Sequence, residues 1–158
     1  MRMRHVLGAA LVALAPAVQA AEEPFDACQV FTEADASKAL GTTVAGEAVN
    51  PKAKRPRVVL GCAYTGFKDS HPVEARVQFR FGRTEAEIQH AFDESKLQLA
   101  TKPLLIRGTD ASFWSGKTGQ MNVRKGRAWV VLSVGSTKPT ERVLDQARVL
   151  AETIAQRL

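Results

Sequence analysis

The stretch from Ala111 to Thr118, ASFWSGKT, carries the residue types of a phosphate-binding loop. In such a loop the lysine and the backbone N–H groups bind phosphate, and the final hydroxyl binds magnesium. A working loop also needs a helix that starts directly after the threonine, so that its N-terminus faces the anion. Here the following residues, GQMNVRKGRAWVVLSV, alternate or run as a strand, and Ala111 replaces the first glycine. We therefore interpret the motif as the bend of a hairpin, and we predict no nucleotide cofactor.

The other reactive residue types form no recognisable catalytic constellation. His71 and His90, the histidines after residue 20, fall in a turn and on a predicted helix surface, and there is no Gly-x-Ser-x-Gly motif. A metal site needs more ligands than these histidines and two cysteines supply. Asp110 is interpreted as a residue that fixes its own turn by accepting hydrogen bonds from nearby N–H groups. We expect no catalytic residue, no metal ligand and no enzymatic activity.

Basic side chains suggest a binding surface instead. Arg76 and Arg80 lie on the polar side of the alternating strand VEARVQFRF, and Arg124 points outward from QMNVRKG. If these strands are neighbours, the arginines form a cationic stripe that can bind an anionic polymer, a lipid headgroup or an acidic protein. The alternative is an ordinary sheet face whose arginines pair with Glu74 and nearby acids. The predicted ligand-binding residues are Arg76, Arg80, Trp114, Lys117, Arg124 and Lys125.

The first 20 residues have the layout of a secretory signal peptide. Arg2 and Arg4 make a positive start, Val6 to Ala15 is apolar but too short to span a bilayer, and a small-x-small site ends at Ala20. The alternative is a buried N-terminal helix. We expect cleavage before Ala21, a periplasmic or secreted location, and no transmembrane segment in the remaining chain.

Residues 21–158 have the size of one domain and a modest positive charge. They contain 20 basic and 16 acidic side chains, a net charge of +4, which favours anionic partners in general. Lys52, Lys54 and Arg55 lie between prolines and are interpreted as part of a solvated loop. Nucleic acid is not an expected partner, because aromatic residues make up only 6% of the chain and an exported protein does not meet it.

The two cysteines, Cys28 and Cys62, are 34 positions apart. A redox pair usually has two residues between its cysteines, and a metal site would need further ligands. In an oxidising compartment a structural disulfide is the favoured interpretation, with the redox pair and the metal pair as alternatives. We expect the bond to hold the first helix against a sheet.

Hydrophobic periodicity predicts three helices, at about 33–40, 85–100 and 140–157. Each begins with a capping residue or a proline, the first of them with Thr32. Antiparallel strands with short turns occupy the chain between the helices. The expected fold class is α+β: a two-layer sandwich of a twisted antiparallel sheet with helices packed mainly on one face.

The strand patterns also predict positions within the sheet. Val58–Tyr64 and Arg127–Val134 are apolar at nearly every position, which is typical of inner strands. Val73–Phe81 alternates, which predicts one buried face. The stretch 65–72 is expected to be a turn, and Lys125-Gly126 is expected to join two strands as a tight hairpin.

Five short motifs are spread over the chain after residue 20: CQVFTEADASKALGTTV, CAY, IRGTDASFW, the hairpin ending in VRKGRAWVVLSV, and ARVLAETIAQRL. Together they resemble small exported bacterial domains of uncharacterised function, the DUF3558-type lipoproteins and related extracellular sensor-like domains. The resemblance implies an envelope location, a two-layer α/β sandwich, a Cys28–Cys62 disulfide, and a structural turn at Asp110 and Phe113. The chain departs from the lipoproteins because it lacks a lipid-acceptor cysteine, so the resemblance does not extend to a membrane anchor.

The sequence therefore predicts a non-enzymatic, exported binding or accessory module of the cell envelope. The expected partner is an envelope or extracellular protein or an anionic polymer. Two alternatives stay open: a secreted enzyme with a cleft near Asp110 and Trp114, and a secreted inhibitor of a foreign hydrolase. A deep pocket favours the enzyme, a protruding loop favours the inhibitor, and a broad arginine-lined face favours the binding module.

Overall fold

The structure is organised around one antiparallel sheet. The computed structural model describes residues 25–49, 59–99 and 101–158. The strands within these residues are β1 Val44–Val49, β2 Leu60–Lys68, β3 His71–Phe81, β4 Lys102–Leu104, β5 Ala111–Ser115, β6 Gln120–Lys125 and β7 Ala128–Ser136. They pair in the order β1-β2-β3-β7-β6-β5-β4, and every neighbouring pair is antiparallel. The last strand along the chain is therefore the middle strand of the sheet.

Several predictions fall on residues outside this description. They are the signal peptide at 1–20, its cleavage next to Ala21, and the solvated loop that contains Lys52, Lys54 and Arg55. These stay predictions from the sequence.

β7 is buried on both sides of the sheet. Val130, Leu132 and Val134 belong to one apolar core, whereas Trp129 and Val131 belong to another. A strand that is covered on both faces has an unbroken apolar sequence, which is why an inner strand was predicted here. That prediction is confirmed, and so is the inner position of β2, which lies between β1 and β3.

The helices of the described residues are divided between the two faces of the sheet. They are α1 Ala27–Val30, α2 Glu33–Leu40, α3 Glu85–Gln98 and α4 Leu144–Ala155. The buried side chains of α1, α2 and α4 join those of β2, β3, β6 and β7 in one core. The predicted fold class, an α+β sandwich with an antiparallel sheet and helices mainly on one face, is confirmed.

α3 lies on the opposite face. Ile88 and Phe92 of this helix pack against Phe113, Trp129 and Val131 in a second core. These three sheet residues point away from the other helices, because side chains alternate between faces along a strand. Without α3 they would be in contact with water. The position of α3 is therefore a consequence of a middle strand that is apolar on both faces.

The connection between β2 and β3 corrects the predicted turn at 65–72. β2 continues to Lys68 and β3 begins at His71, so only Asp69 and Ser70 form the turn. Both have positive φ, 50° and 64°, the pattern of a type I′ turn, whose twist matches that of the flanking strands. The prediction was wrong because this end of the hairpin extends beyond the core. Its side chains are mostly exposed and show no hydrophobic alternation.

The hairpin between β6 and β7 is confirmed, one residue later than predicted. Lys125 pairs with Ala128, so Gly126 and Arg127 form the loop. Gly126 has φ +52°, and a positive φ at the first loop position alone is typical of a type II′ turn, where glycine is preferred.

The ends of the helical layer also differ from the prediction. Pro139–Glu141 forms a 3₁₀ turn, and α4 begins at Leu144 instead of residue 140. A proline is tolerated in the first turn of either helix type, so it does not fix where α4 begins. The four-residue helix α1 was not predicted, since so short a segment shows no helical periodicity.

A disulfide joins α1 to β2. Cys28 and Cys62 are bonded, with their Cα atoms 5.3 Å apart, within the usual range for disulfides. The predicted pairing is confirmed. The helix that the bond holds against the sheet is α1, which precedes the first predicted helix.

We expect the Cys28→Ser/Cys62→Ser variant to be less stable than the oxidised protein by about 3 kcal/mol, because the bond closes a loop of 34 residues in the unfolded chain. The melting temperature should fall by roughly 10 °C. Thermal denaturation of the variant, and of the wild type with and without reductant, measures both. Unchanged melting after complete reduction would contradict a stabilising role.

An ion pair joins the start of α2 to the end of α4. The Thr32 N–H donates to Asp35 Oδ2 (3.0 Å) and the Asp35 N–H donates to Thr32 Oγ1 (3.3 Å), which caps α2. Arg157 donates to both carboxylate oxygens of Asp35, one of them at 2.9 Å, and to the Val30 carbonyl at 2.8 Å. Burial raises the pKa of Asp35, but the hydrogen bonds from Arg157 and Thr32 outweigh it and lower that pKa from 3.8 to about 2.

Asp35→Asn should lower the free energy of unfolding at neutral pH, because it removes the carboxylate that binds Arg157. We expect a loss of only about 1 kcal/mol, since solvent screens the partly exposed Arg157. The folded pKa lies below the unfolded one, so this stability is complete above about pH 4 and is lost as the pH falls through about 2. Urea denaturation should show the wild type and the variant converging near pH 2. Glu33→Gln, an exposed acid in the same helical turn, is the control. If the difference in free energy of unfolding between the wild type and Asp35→Asn stayed constant as the pH fell, the proposed link to the pKa of Asp35 would be excluded.

Candidate functional site

The face of the sheet opposite α1, α2 and α4 carries the arginines predicted to bind a ligand. Alternate residues of β3 point to this side of the sheet, among them Arg76, Gln78 and Arg80. We call the surface formed by these three residues the arginine face. α3 covers the same side of the sheet at β5 and β7, and no helix of the described residues covers it at β2 and β3. The Arg76 side chain is 42% exposed, Gln78 is half-buried and Arg80 is exposed.

The register of the sheet places three of the predicted residues on one face. Arg80 is opposite Trp129 of β7, and Trp129 is opposite Arg124 of β6. Arg76 lies four residues before Arg80, on the same side of β3. However, β7 separates the two strands that carry the arginines. The stripe expected from adjacent strands is therefore interrupted by the Trp129 ring.

Arg80 stacks on that ring. Its guanidinium carbon lies 4.6 Å from the centroid of Trp129, a typical cation–π distance. The indole is held in place because its Nε1–H donates to Asn122 Oδ1 at 3.0 Å and Phe92 packs edge-on against it. Among the described residues, no carboxylate lies within ion-pair distance of Arg80. Its position is fixed, while its charge lacks an acidic partner in the part of the chain that the structure describes.

Two further arginines share one carboxylate. Arg76 and Arg142 bind opposite oxygens of Glu74, with N···O distances of 3.1 Å and 3.6 Å. Arg142 also donates to the Ser136 carbonyl at 2.8 Å, and its side chain is only 8% exposed. Burial lowers the pKa of Arg142, but a guanidinium stays protonated in proteins. With Arg80 included, the described residues of this region place three guanidinium groups around one carboxylate.

The chain that carries Arg142 passes close to Gly119. This residue has φ +59°, and a Cβ there would collide with the Pro139 carbonyl and lie 3.1 Å from Arg142 Cδ. Both the backbone angle and the close approach require glycine. The second glycine of the GKTG sequence is therefore explained by packing. Arg142 itself was missed by sequence analysis, because nothing distinguishes it from a surface residue of the predicted last helix.

Arg124 is committed to the fold. Its side chain is 9% exposed and pairs with Glu85 at 3.2 Å and Asp110 at 3.4 Å. Asp110 also accepts a hydrogen bond from the Gly126 N–H at 2.7 Å. The expectation that Asp110 fixes its own turn is thus corrected, because its partners lie on the β6–β7 hairpin. The cluster joins this hairpin to the start of α3 and leaves Arg124 little contact with solvent.

The remaining predicted ligand-binding residues lie elsewhere. Lys125 donates to the Ala155 carbonyl at 2.7 Å, where a cation stabilises the C-terminal end of α4. Trp114 packs, partly buried, against the core beneath the helices. Lys117 is exposed in the loop between β5 and β6. Strand alternation alone places Lys125 on the face opposite Arg124, a signal that the sequence interpretation did not use.

The ASFWSGKT stretch forms β5 and the bend that leads into β6. Thr118 is followed by Gly119 and then by a strand, so no helix starts directly after the Gly-Lys-Thr residues. The Thr118 N–H instead donates to Ser115 Oγ at 3.4 Å. Phe113 is fully buried, and Trp114 is partly exposed. The predicted hairpin bend is confirmed.

A groove of about 490 Å³ lies at the end of the sheet. Its charged wall residues are Glu85, Asp110, Lys125 and Arg127, and Trp114 is not among its lining residues. The two acids are bonded to the buried Arg124, and the two bases donate to backbone carbonyls. The groove is therefore lined by groups that are already bonded to the fold. Within the described ranges, no group of three or more potential metal ligands comes together.

Comparison of the chain with family models, curated proteins and solved structures gives no match. The resemblance to the DUF3558-type lipoproteins therefore stays a prediction from short motifs. The case for a function depends on the geometry of the site.

Arg124→Met should lower the free energy of unfolding by about 2 kcal/mol, since it removes the cation between two carboxylates that are themselves partly exposed. Arg107→Met, at an exposed arginine of the preceding loop, is the matched control and should change stability by less than about 0.5 kcal/mol. Urea denaturation measures both. Equal stability of the two variants would argue against a structural role for Arg124.

Proposed function

We propose that the protein is an exported, non-enzymatic binding or accessory module that holds an anionic macromolecule on its arginine face. The observation that carries the proposal is the excess of positive charge there. Arg76, Arg80 and the neighbouring Arg142 have one carboxylate, Glu74, between them. Guanidinium groups bind carboxylates and phosphates through charge-assisted, often bidentate hydrogen bonds.

The geometry makes the two exposed arginines suitable contacts. Trp129 holds Arg80 in one position, so little side-chain entropy is lost when an anion binds. Arg76 uses one terminal nitrogen, Nη2, for Glu74, and its side chain is 42% exposed, so its other terminal nitrogen is available to donate to an anion. The buried Arg142 adds positive charge behind the same carboxylate. An incoming anion is therefore attracted to a site that is already ordered.

The disulfide supports the proposed export. Disulfides persist in oxidising compartments such as the periplasm and the extracellular space and are rare in the cytosol. The Cys28–Cys62 bond agrees with the signal-peptide layout expected of the first 20 residues. No helix in the described part of the chain is long and apolar enough to cross a bilayer.

The groove beside Asp110 is the observation that favours the alternative, a secreted enzyme. Its volume of about 490 Å³ lies in the range of small-molecule sites. Catalytic groups need donors or acceptors that are free to act on a substrate. The acids of this groove are bonded to Arg124 and to the hairpin backbone. We therefore favour the binding module.

The proposal is tested with oxidised residues 21–158 and three polyanions: poly-L-glutamate, a polyuronate and vesicles of phosphatidylglycerol. The wild type should bind at least one of them at low salt, and Arg76→Ala/Arg80→Ala should weaken that affinity about tenfold or more. Because the attraction is electrostatic, binding should also weaken as salt is added. Affinity can be measured by light scattering or by titration calorimetry.

Two control variants make the test specific to the face. Arg107→Ala/Arg148→Ala removes the same charge at exposed arginines elsewhere and should have a much smaller effect. Lys52→Ala/Lys54→Ala/Arg55→Ala tests the basic segment between β1 and β2. Equal losses in all three variants would indicate non-specific attraction. Absence of binding to every polyanion, or binding that ignores ionic strength, would refute the proposal.

A further inference from the structure

α3 is a barrier beside the arginine face. It packs on Phe113, Trp129 and Val131, on the same side of the sheet as Arg76 and Arg80. A helix with its side chains is about 10 Å across. α3 therefore rises about that far above the sheet, beside the part of β3 that carries the partly exposed Arg76 and the exposed Arg80. A broad, flat partner meets this helix before it reaches the arginines.

The outer surface of α3 is acidic. The helix contains four acids and one base, Lys96, a net charge of −3 with His90 neutral. The four acids, Glu85, Glu87, Asp93 and Glu94, are all exposed. Glu85 is paired with Arg124 and Glu87 with Arg83, so among the described residues Asp93 and Glu94 carry the negative charge that no arginine offsets. The protruding element thus has the opposite sign to the recessed arginines.

This arrangement disfavours a planar anionic partner. A membrane surface would approach the acidic helix first and would be repelled while Arg76 and Arg80 were still about one helix diameter away. At physiological salt the attraction of the arginines decays over about 8 Å. A partner that is only one chain wide can instead lie along the arginine side chains of β3, beside the helix.

The arginine spacing fits an extended polypeptide. Side chains on one face of a strand repeat every two residues, so the Cα atoms of Arg76 and Arg80 are about 13 Å apart at 3.3 Å per residue. An extended peptide has the same repeat, and carboxylates at positions i and i+4 would therefore match the spacing of the two arginine positions on β3. Gln78, between them, can hydrogen-bond to the peptide backbone.

The described surface offers little to polymers that bind by ring stacking. Single-stranded nucleic acids need aromatic platforms in addition to positive charge. Phe67, 70% exposed, is the one aromatic side chain of the described residues that is largely open to solvent. The broad face of Trp129 is already occupied by Arg80.

We infer that α3 makes the arginine face selective for an extended acidic polypeptide segment with carboxylates four residues apart, and that its acids exclude planar anionic membranes. This inference rests on the proposed function of the face. It assigns to α3 the role of a specificity element, beyond its role in covering the second core.

The test uses oxidised residues 21–158 and two peptides of equal composition, rich in Ser and Thr, with glutamates either four or three residues apart. In an extended chain the first spacing puts the carboxylates on one side and the second puts them on opposite sides. The four-residue spacing should bind about fivefold or more tightly, and Arg76→Ala/Arg80→Ala should remove the difference. Equal affinity for both peptides would overturn the inference.

The membrane arm compares the wild type with Asp93→Asn/Glu94→Gln, which leaves Glu85 and Glu87 and their hydrogen bonds intact. The wild type should not bind phosphatidylglycerol vesicles, and the variant should gain binding without a change in melting temperature. Wild-type binding to vesicles or to a polyuronate that depends on Arg76 and Arg80 would overturn the inference and leave the proposed function standing. Failure to bind any polyanion would instead remove the proposed function itself.

Discussion

The two apolar faces of β7 are the constraint on which the rest of the structure depends. A middle strand of this kind must be covered on both sides. The two sides are covered to different extents. α1, α2 and α4 cover one side completely enough to form the main core. A single helix, α3, covers part of the other side, and the arginine face lies where no helix of the described residues covers that side.

The role of each arginine depends on how far its guanidinium group is buried from solvent. A buried guanidinium needs carboxylates or carbonyls close by, because an unpaired charge away from water is costly. The side chains of Arg124 and Arg142 are buried, and each forms ion pairs with carboxylates. Arg80 needs no acid, because water and the Trp129 ring stabilise its charge. The arginines on this side of the sheet therefore divide into two kinds: those whose charge is used within the fold, and those whose charge can bind a partner.

Much of the fold could be predicted from local patterns. The capped helix at 33–40, the inner strands and the disulfide each have a signature of a few residues. α3 was also expected as a helix, but the side of the sheet on which it packs was not predicted. That side depends on which apolar residues of the sheet are left exposed by the other helices. The turn at Asp69 and Ser70 was missed since exposed strand ends lose the alternation that marks a strand.

The candidate site was less predictable, because it is formed by pairing between distant strands. Arg76 and Arg80 share a strand, and their common face follows from alternation. The stacking of Arg80 on Trp129 follows only from the register between β3 and β7. The contribution of Arg142 depends on how the segment after β7 passes Gly119. Neither relation leaves a local trace in the sequence.

The contacts of Arg157 also affect how the chain reaches its folded state. They connect residues separated by 127 and 122 positions, at Val30 and Asp35. Contacts between distant residues form slowly, because a long loop must close before they gain any stability. α2 can form its own capping box early, yet its attachment to α4 has to wait until the intervening sheet is assembled. The contacts of Arg157 with Val30 and Asp35 are therefore expected to form late in folding, when α4 docks against α1 and α2.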